Sequence, residues 1–301
     1  MKITILMSVW NESKNIDACF RSLTEQTYQD FSLLIVDDGS TDDTVQKIEQ
    51  YRDRLEIMIV KLEHVWMSSA RNTGIALIPD GYICILDADE ILDPHYLENF
   101  VSFVKEHPDC KFFAWKSIPT LDSHISRYLE VMEHMIYMMA YEKETSSTNT
   151  MVWGNMIVEA HACRQVGSWD ETLWRTGDTS LSQRAITSWY TLYTTPRCFL
   201  YEKRPSSLWK LLTREYVSWY YVQKQWFWTW NHAIRFTSLL IFPWAVYFFL
   251  YLFLLIFYNK KVNGTILVAP MIFFLLFISW DIGYISNLGH HAMISPMKRK
   301  V

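Results

Sequence analysis

The chain has 301 residues, half of them hydrophobic, with 28 basic and 32 acidic side chains and a formal net charge of −4. That length and apolar content suit one large or two modest domains, and they exclude disorder, collagen-like repetition and a disulfide-stapled mini-domain. From Ala233 onward six bases face one acid, Asp281, a surplus of +5 that leaves −9 on the first 232 residues; so acidic a body does not fit a nucleic-acid binder.

Ile3–Val9 is an apolar run of strand length that enters the polar stretch Asn11–Lys14. It is too short for a signal-peptide core, so the body is expected to stay on the cytoplasmic side. Asn15–Gln26 then carries Ile16, Cys19, Phe20 and Leu23 at helical spacing. Strands follow at 32–36, 56–60 and 82–86, with helices at 42–51 and 68–77 between them. This βαβαβαβ order predicts an α/β fold with a mainly parallel sheet, in which ligands bind beyond the carboxyl ends of the strands. Five widely spaced cysteines (Cys19, Cys84, Cys110, Cys163, Cys198) form no CxxC pair, which reads as reduced, buried thiols in the cytosol rather than a zinc site.

Three strand ends carry polar chemistry: Val9-Trp10-Asn11-Glu12, Asp37-Asp38-Gly39-Ser40-Thr41-Asp42 and Asp87-Ala88-Asp89-Glu90. Gly39 permits a tight turn, and Ser40 or Thr41 can cap the next helix. Asp87 and Asp89, at i and i+2 of an extended segment, would point to one side and suit Mg²⁺ or Mn²⁺. Taken singly, each acidic end also reads as helix capping or solvated surface.

With Ala70-Arg71-Asn72-Thr73-Gly74 opening the third helix, these motifs resemble glycosyltransferase family 2, inverting enzymes of GT-A fold, over residues 1 to about 200. The resemblance implies a nucleotide-sugar site lined by Val9, Trp10 and Glu12, with Asp38 on the nucleobase and Arg71 or Asn72 nearby. It makes Asp87 and Asp89 the DxD motif, with Asp87 also beside the nucleotide and Asp89 the principal ligand of Mn²⁺ or Mg²⁺. The donor would be UDP- or GDP-linked, and the transferred sugar a hexose of glucose or mannose type.

Ile125–Glu142 has helical spacing with a methionine stripe, read first as core packing and otherwise as a surface leaning on lipid; His134 stands alone on it. Gly167-Ser168-Trp169-Asp170-Glu171 followed by Gly177–Arg184 resembles the family's acceptor-side block, which implies Asp178 as the general base; helix capping is the plainer reading of Asp178. Gly177 stands where the family often has Glu, and Ser180 where it often has Asp. Phe199–Arg204 lacks the His that many relatives carry there, leaving Glu202, Lys203 or Arg204 as substitutes.

Phe236–Tyr258 is 23 residues without a formal charge, about 34 Å as a helix against a hydrocarbon core of about 30 Å. Thr265–Leu288 is a second apolar run, broken by Asp281, which would be a contact between helices or the mark of a re-entrant segment. A buried helical hairpin is the alternative to a membrane anchor. Trp219, Tyr220, Tyr221, Trp226, Phe227, Trp228 and Trp230 crowd the approach, as aromatics do at headgroup level, and the flanking bases put both ends in the cytoplasm. The expected organisation is a catalytic domain at 1–205, aromatic-rich interfacial helices at 206–232 and a transmembrane hairpin at 233–301, with spans at about 236–258 and 265–288.

The expectation is an integral membrane enzyme, its catalytic domain cytoplasmic, moving a hexose to a membrane lipid or lipid-linked glycan. Its spans could also pair two copies into a homo-oligomer. A polyprenyl-phosphate sugar synthase and an inactive membrane scaffold of the same fold are the alternatives. Neither a GxxxxGK[ST] loop nor a GxGxxG turn follows the first strand, which argues against ATP or NAD binding.

Overall fold

The computed structural model describes residues 1–119, 156–173, 177–202 and 213. The chain divides into two units, Met1–Thr120 with Met132–Lys203 and Leu121–Val131 with Arg204–Val301; the described residues other than 213 all belong to the first. The helix expected over 125–142, the interfacial segment 206–232 apart from residue 213, and the spans 236–258 and 265–288 lie outside the described residues. Among the described residues no helix is long and apolar enough to cross a membrane.

Strand β1 (Ile3–Val9) is buried on both faces, which is why it reads as an unbroken apolar run rather than an alternating one. It pairs in parallel with β2 (Phe31–Asp37) and β4 (Tyr82–Ile85), and β2 pairs in parallel with β3 (Ile57–Lys61). Helices α1 (Ile16–Thr24), α2 (Thr44–Glu49) and α3 (Met67–Leu77) connect them in the expected order. The first two are shorter than their apolar patterns. Asn15 donates its backbone N–H to the Glu12 carbonyl, closing a turn ahead of α1. The cap of α2 comes from neither Ser40 nor Thr41: the Asp42 carboxylate accepts the Thr44 N–H at 3.0 Å.

Beyond β4 the sheet becomes mixed. After β5 (Glu90–Leu92) and α4 (Tyr96–Glu106) come β6 (Phe112–Pro119), β7 (Met156–Glu159), α5 (Ala160–Gln165), α6 (Gly177–Thr187) and β8 (Leu192–Glu202). The full order is β3-β2-β1-β4-β7-β6-β8-β5, with β7 antiparallel to β4 and β6, and β5 antiparallel to β8. Two reversals restore the direction of β6 and β8 to that of β1. The end of β8 at Glu202 therefore lies on the same rim as the ends of β1, β2 and β4, and it pairs with Glu90.

The two faces hold separate cores. Ile3, Ile5, Met7 and Val9 pack beneath α1 and α4, with Phe20, Phe100 and Phe103. Leu6, Leu34 and Val36 pack on the other side with Ala70 and Ile75 of α3 and Leu181 and Ala185 of α6. Gly74 lets α3 approach β1: a Cβ there would stand 2.2 Å from a Leu6 methyl. Gly74→Ala is therefore expected to cost about 1–3 kcal/mol, the usual penalty for overfilling a packed core, although alanine is the better helix former. Denaturant unfolding of the full-length chain checks this, with partial recovery expected in Gly74→Ala combined with Leu6→Ala. A neutral Gly74→Ala would show that the helix does not need the gap.

Candidate active site

The rim begins where β1 ends. The Val9 side chain is buried in the core, and its carbonyl accepts the Asp38 N–H at 2.8 Å; Val9 thus has only main chain to offer a ligand. Trp10 is half exposed at the edge. Asn11, at a φ of 56°, accepts the backbone N–H groups of Thr41 and Asp42 through its amide oxygen. Glu12 donates its N–H to the Thr44 hydroxyl and accepts from the Asn15 amide. Desolvation pushes the Asp42 carboxyl up, but hydrogen bonds from Thr44 and Ser13 outweigh it and hold it at about 2. These bonds lock the β1 and β2 exits together.

The Asp87–Glu90 segment is a turn rather than the extended stretch expected from the sequence, so strand alternation does not aim its carboxylates. A buried arginine does. Arg71, 2% exposed, donates from Nη2 to Asp87 Oδ1 at 2.8 Å, and its Nη1 lies 3.5 Å from Asp178 Oδ1. Its guanidinium also sits 5.6 Å from the centre of the Trp169 ring, while its Nε has no partner among the described residues. The fully buried Glu90 accepts the Asp87 N–H at 2.9 Å, and burial, then Asp87 and Glu202, push its carboxyl well up. Asp89 is pushed up to about 7 by burial and by Asp87, Glu202 and Glu12. The rim thus collects carboxylates whose charges oppose one another.

The acceptor-side turn is fastened to α3. Asn72 donates to the Trp169 carbonyl at 2.8 Å and accepts its N–H at 2.9 Å, and also donates to Glu171. The Asn72 amide is thus committed to the 169–171 turn. Arg184 closes the same turn by donating to the carbonyls of Val166 and Ser168. Trp169, so held, donates its indole N–H to Asp178 Oδ1 at 3.2 Å. A Cβ on Gly177 would come 2.8 Å from the Trp169 ring. The glycine that departs from the family pattern is thus the residue that makes room for this indole. Asp178 lies in the first turn of α6, and Arg71 and Trp169 aim its carboxylate at the rim.

Asp38 is buried, and both its oxygens are engaged. Oδ1 accepts the Val65 N–H at 2.6 Å and Oδ2 the Trp66 N–H at 3.1 Å, with His64 Nδ1 3.4 Å from Oδ2. The His64 ring lies 4.7 Å from that of Trp10 and 5.1 Å from that of Trp66, centre to centre. Sequence reasoning missed His64, Trp66, Trp169 and Glu90 as functional candidates. Glu90 could have been found from its place beside Asp89, and Trp169 from its motif; His64 and Trp66 carried no periodic or motif signal.

The donor set fits a hard divalent cation. Asp87 and Asp89 are carboxylates of one turn, and burial with the charges of Asp87, Glu202 and Glu12 raises Asp89. Among the described residues no group of three His, Cys, Asp or Glu could hold an ion, and Mg²⁺-type sites commonly use one or two carboxylates with substrate phosphates.

Residues 4–167 match the family described as Glycosyl transferase family 2. Glycosyltransferase GlyA of Streptococcus pneumoniae serotype 4 is 28% identical over 107 residues, 35% of this chain but only 15% of that protein. Among solved structures, the mannosyltransferase PcManGT of Pyrobaculum calidifontis, in complex with GDP-Man and Mn²⁺, aligns with a TM-score of 0.65 at 16% identity, over 95% of this chain and 86% of its own. Staphylococcus aureus TarS in complex with UDP-GlcNAc aligns with a TM-score of 0.54 at 17% identity, over 74% and 67%. These structural likenesses show the fold.

The Asp89 carboxyl gives a signed pH dependence. Unfolded, it loses its proton near its ordinary 3.8; folded and metal-free, near 7. Between those values the folded state holds the extra proton, so this group's contribution to stability falls as pH rises from about 4 to about 7 and is level above. Thermal melts in EDTA should show that fall in the wild type and a shallower one in Asp89→Asn. Identical slopes would remove Asp89 as its source.

Proposed function

The chain belongs to glycosyl transferase family 2, and we propose that it is an inverting hexosyltransferase using a uridine or guanosine diphosphate sugar. The observation that carries this reading is the single buried guanidinium between Asp87 and Asp178. It sets a carboxylate suited to the donor's metal beside one suited to the acceptor's proton. The relatives' names and the nucleotide sugars bound by the structural neighbours support the same class.

In this reaction the acceptor oxygen attacks the sugar's C1 from the face opposite the diphosphate. The C1–O bond breaks, its electron pair leaves with the diphosphate, and the acceptor's proton passes to Asp178. Arg71 and the Trp169 indole hold the carboxylate that receives the proton. Asp87 and Asp89 would hold the Mn²⁺ or Mg²⁺, which when bound neutralises charge on the departing diphosphate.

The acceptor we propose is a membrane lipid or lipid-linked glycan at the cytoplasmic face, with the enzyme integral to the cell membrane. The support is in the sequence: the uncharged 23-residue run Phe236–Tyr258, the second run to Leu288 and the tryptophans preceding them. An anchor holds the rim where a bilayer-bound acceptor resides and raises its effective concentration.

The test is a panel of nucleotide sugars incubated with the purified full-length protein, Mn²⁺ and native membrane lipids, with products read by mass spectrometry. A glycosylated lipid is expected from the wild type and none from Asp89→Ala. Asp178→Asn should cut the rate by about 10²–10⁴-fold for a hydroxyl acceptor. A mild effect of Asp178→Asn would instead favour a polyprenyl phosphate, already anionic. Undiminished Mn²⁺-dependent turnover by Asp89→Ala would overturn the metal assignment.

A further inference from the structure

Trp169 is 2% exposed, and a buried indole N–H needs an acceptor. Its acceptor is Asp178 Oδ1 at 3.2 Å, the same oxygen that Arg71 Nη1 approaches at 3.5 Å. The two holds differ in kind. Arg71 also carries Asp87 on Nη2 at 2.8 Å, so its charge is divided between two carboxylates. An indole has a single donor and no acceptor, and Trp169 gives that donor to Asp178.

The ring is fixed from its own backbone. Asn72 donates to the Trp169 carbonyl and accepts its N–H, and Arg184 donates to the carbonyls of Val166 and Ser168 just before it. Gly177, the first residue of α6, supplies the space. A Cβ there would stand 2.8 Å from Trp169 Cδ1 and 3.4 Å from its Nε1. Gly177 lies outside the positive-φ region, so its bare Cα serves the ring and not the backbone. Ten hydrogen-bonding and packing atoms elsewhere would have served to bury an indole; here the sequence neighbour of Asp178 is the one that gives way.

We propose that Trp169 is a positioning residue for Asp178: its indole N–H sets the direction in which the carboxylate faces an acceptor, and Gly177 is glycine so that the ring can reach it. The bond keeps the carboxylate from closing further onto the guanidinium it shares with Asp87, where it would serve as an ion-pair partner rather than as a base. The assignment rests on the reading of Asp178 as the acceptor-side base and deepens it.

The experiment uses the full-length protein with Mn²⁺. It measures turnover of UDP- and GDP-linked hexoses, with water or native membrane lipids as acceptor, and calorimetric titration with UDP and GDP. Trp169→Phe keeps a ring beside Arg71 and loses the N–H. It should lower kcat by about tenfold or more, as misdirected catalytic groups do, and leave nucleotide affinity within about twofold. In an Asp178→Asn background the same change should cost nothing further, because its effect passes through that carboxylate. Gly177→Ala should lower kcat alone in the same way by displacing the ring, and it decides the matter if Trp169→Phe does not fold. Wild-type kcat in a folded Trp169→Phe or in Gly177→Ala, an equal fall in nucleotide affinity, or a full further loss in the Asp178→Asn background would overturn the proposal while leaving the base reading intact. A mild effect of Asp178→Asn itself would sink the base reading, and this proposal with it.

Discussion

A guanidinium stripped of water cannot be left uncompensated, and Arg71 makes the whole rim answer to that constraint. Burial works against its charge, but Asp87 and Asp178 more than offset the loss and hold its pKa up. Removing one partner of such a buried group leaves the other charge stranded, which is costly in any fold. The consequence is geometric. Asp87 follows β4 and Asp178 opens α6, yet both are held to one point on α3. The neighbouring Asn72 repeats the arrangement with neutral bonds, fastening the Trp169 turn to the same helix. Three residues beyond Arg71, Gly74 lets α3 sit close to β1.

The sheet topology supplies what the guanidinium organises. Parallel pairing of β1 with β2 and β4 brings three loop-bearing ends to one edge, and the antiparallel β7 allows β8 to return in the same sense. Glu202 therefore arrives opposite Glu90 from the far end of the catalytic unit. Its charge acts on both Asp89 and Glu90. A distant residue thus becomes part of the acidic rim through strand register alone.

The first half of the sheet was legible because its physics is local. Apolar runs of strand length alternating with helical spacing admit little besides a parallel α/β core, and β1 lies where its run of residues placed it. Asp87, Asp89 and Asp178 stood out in the sequence as acids, but their geometry was not legible there. Strand alternation implied a shared direction for the DxD pair; the segment is a turn instead, and Arg71 holds Asp87. Val9 and Asn72 sat inside the right motifs with side chains turned to core and scaffold. The Ser40 and Thr41 caps failed because Asp42, one residue further on, reaches the Thr44 N–H. His64 and Trp66 were illegible for a different reason: a tryptophan at positive φ contradicts local preference, and only the tertiary bonds of Asp38 reveal it.

The charges are distributed unevenly across the site, and that asymmetry bears on mechanism. Glu12, Asp87, Asp89, Glu90 and Glu202 crowd one side of the rim, where burial and then mutual repulsion raise Asp89 and Glu90. Across Arg71, the start of α6 offers Asp178, because Gly177 yields its space to the Trp169 ring and Ser180 replaces a further acid of the family pattern. Asp87 and Asp89 on the crowded side would hold the proposed divalent cation, whose charge would relieve the repulsion when bound. Asp178 meanwhile keeps the indole and the guanidinium as its partners. One arginine therefore sits between the carboxylate proposed to serve a metal and the one proposed to serve a proton.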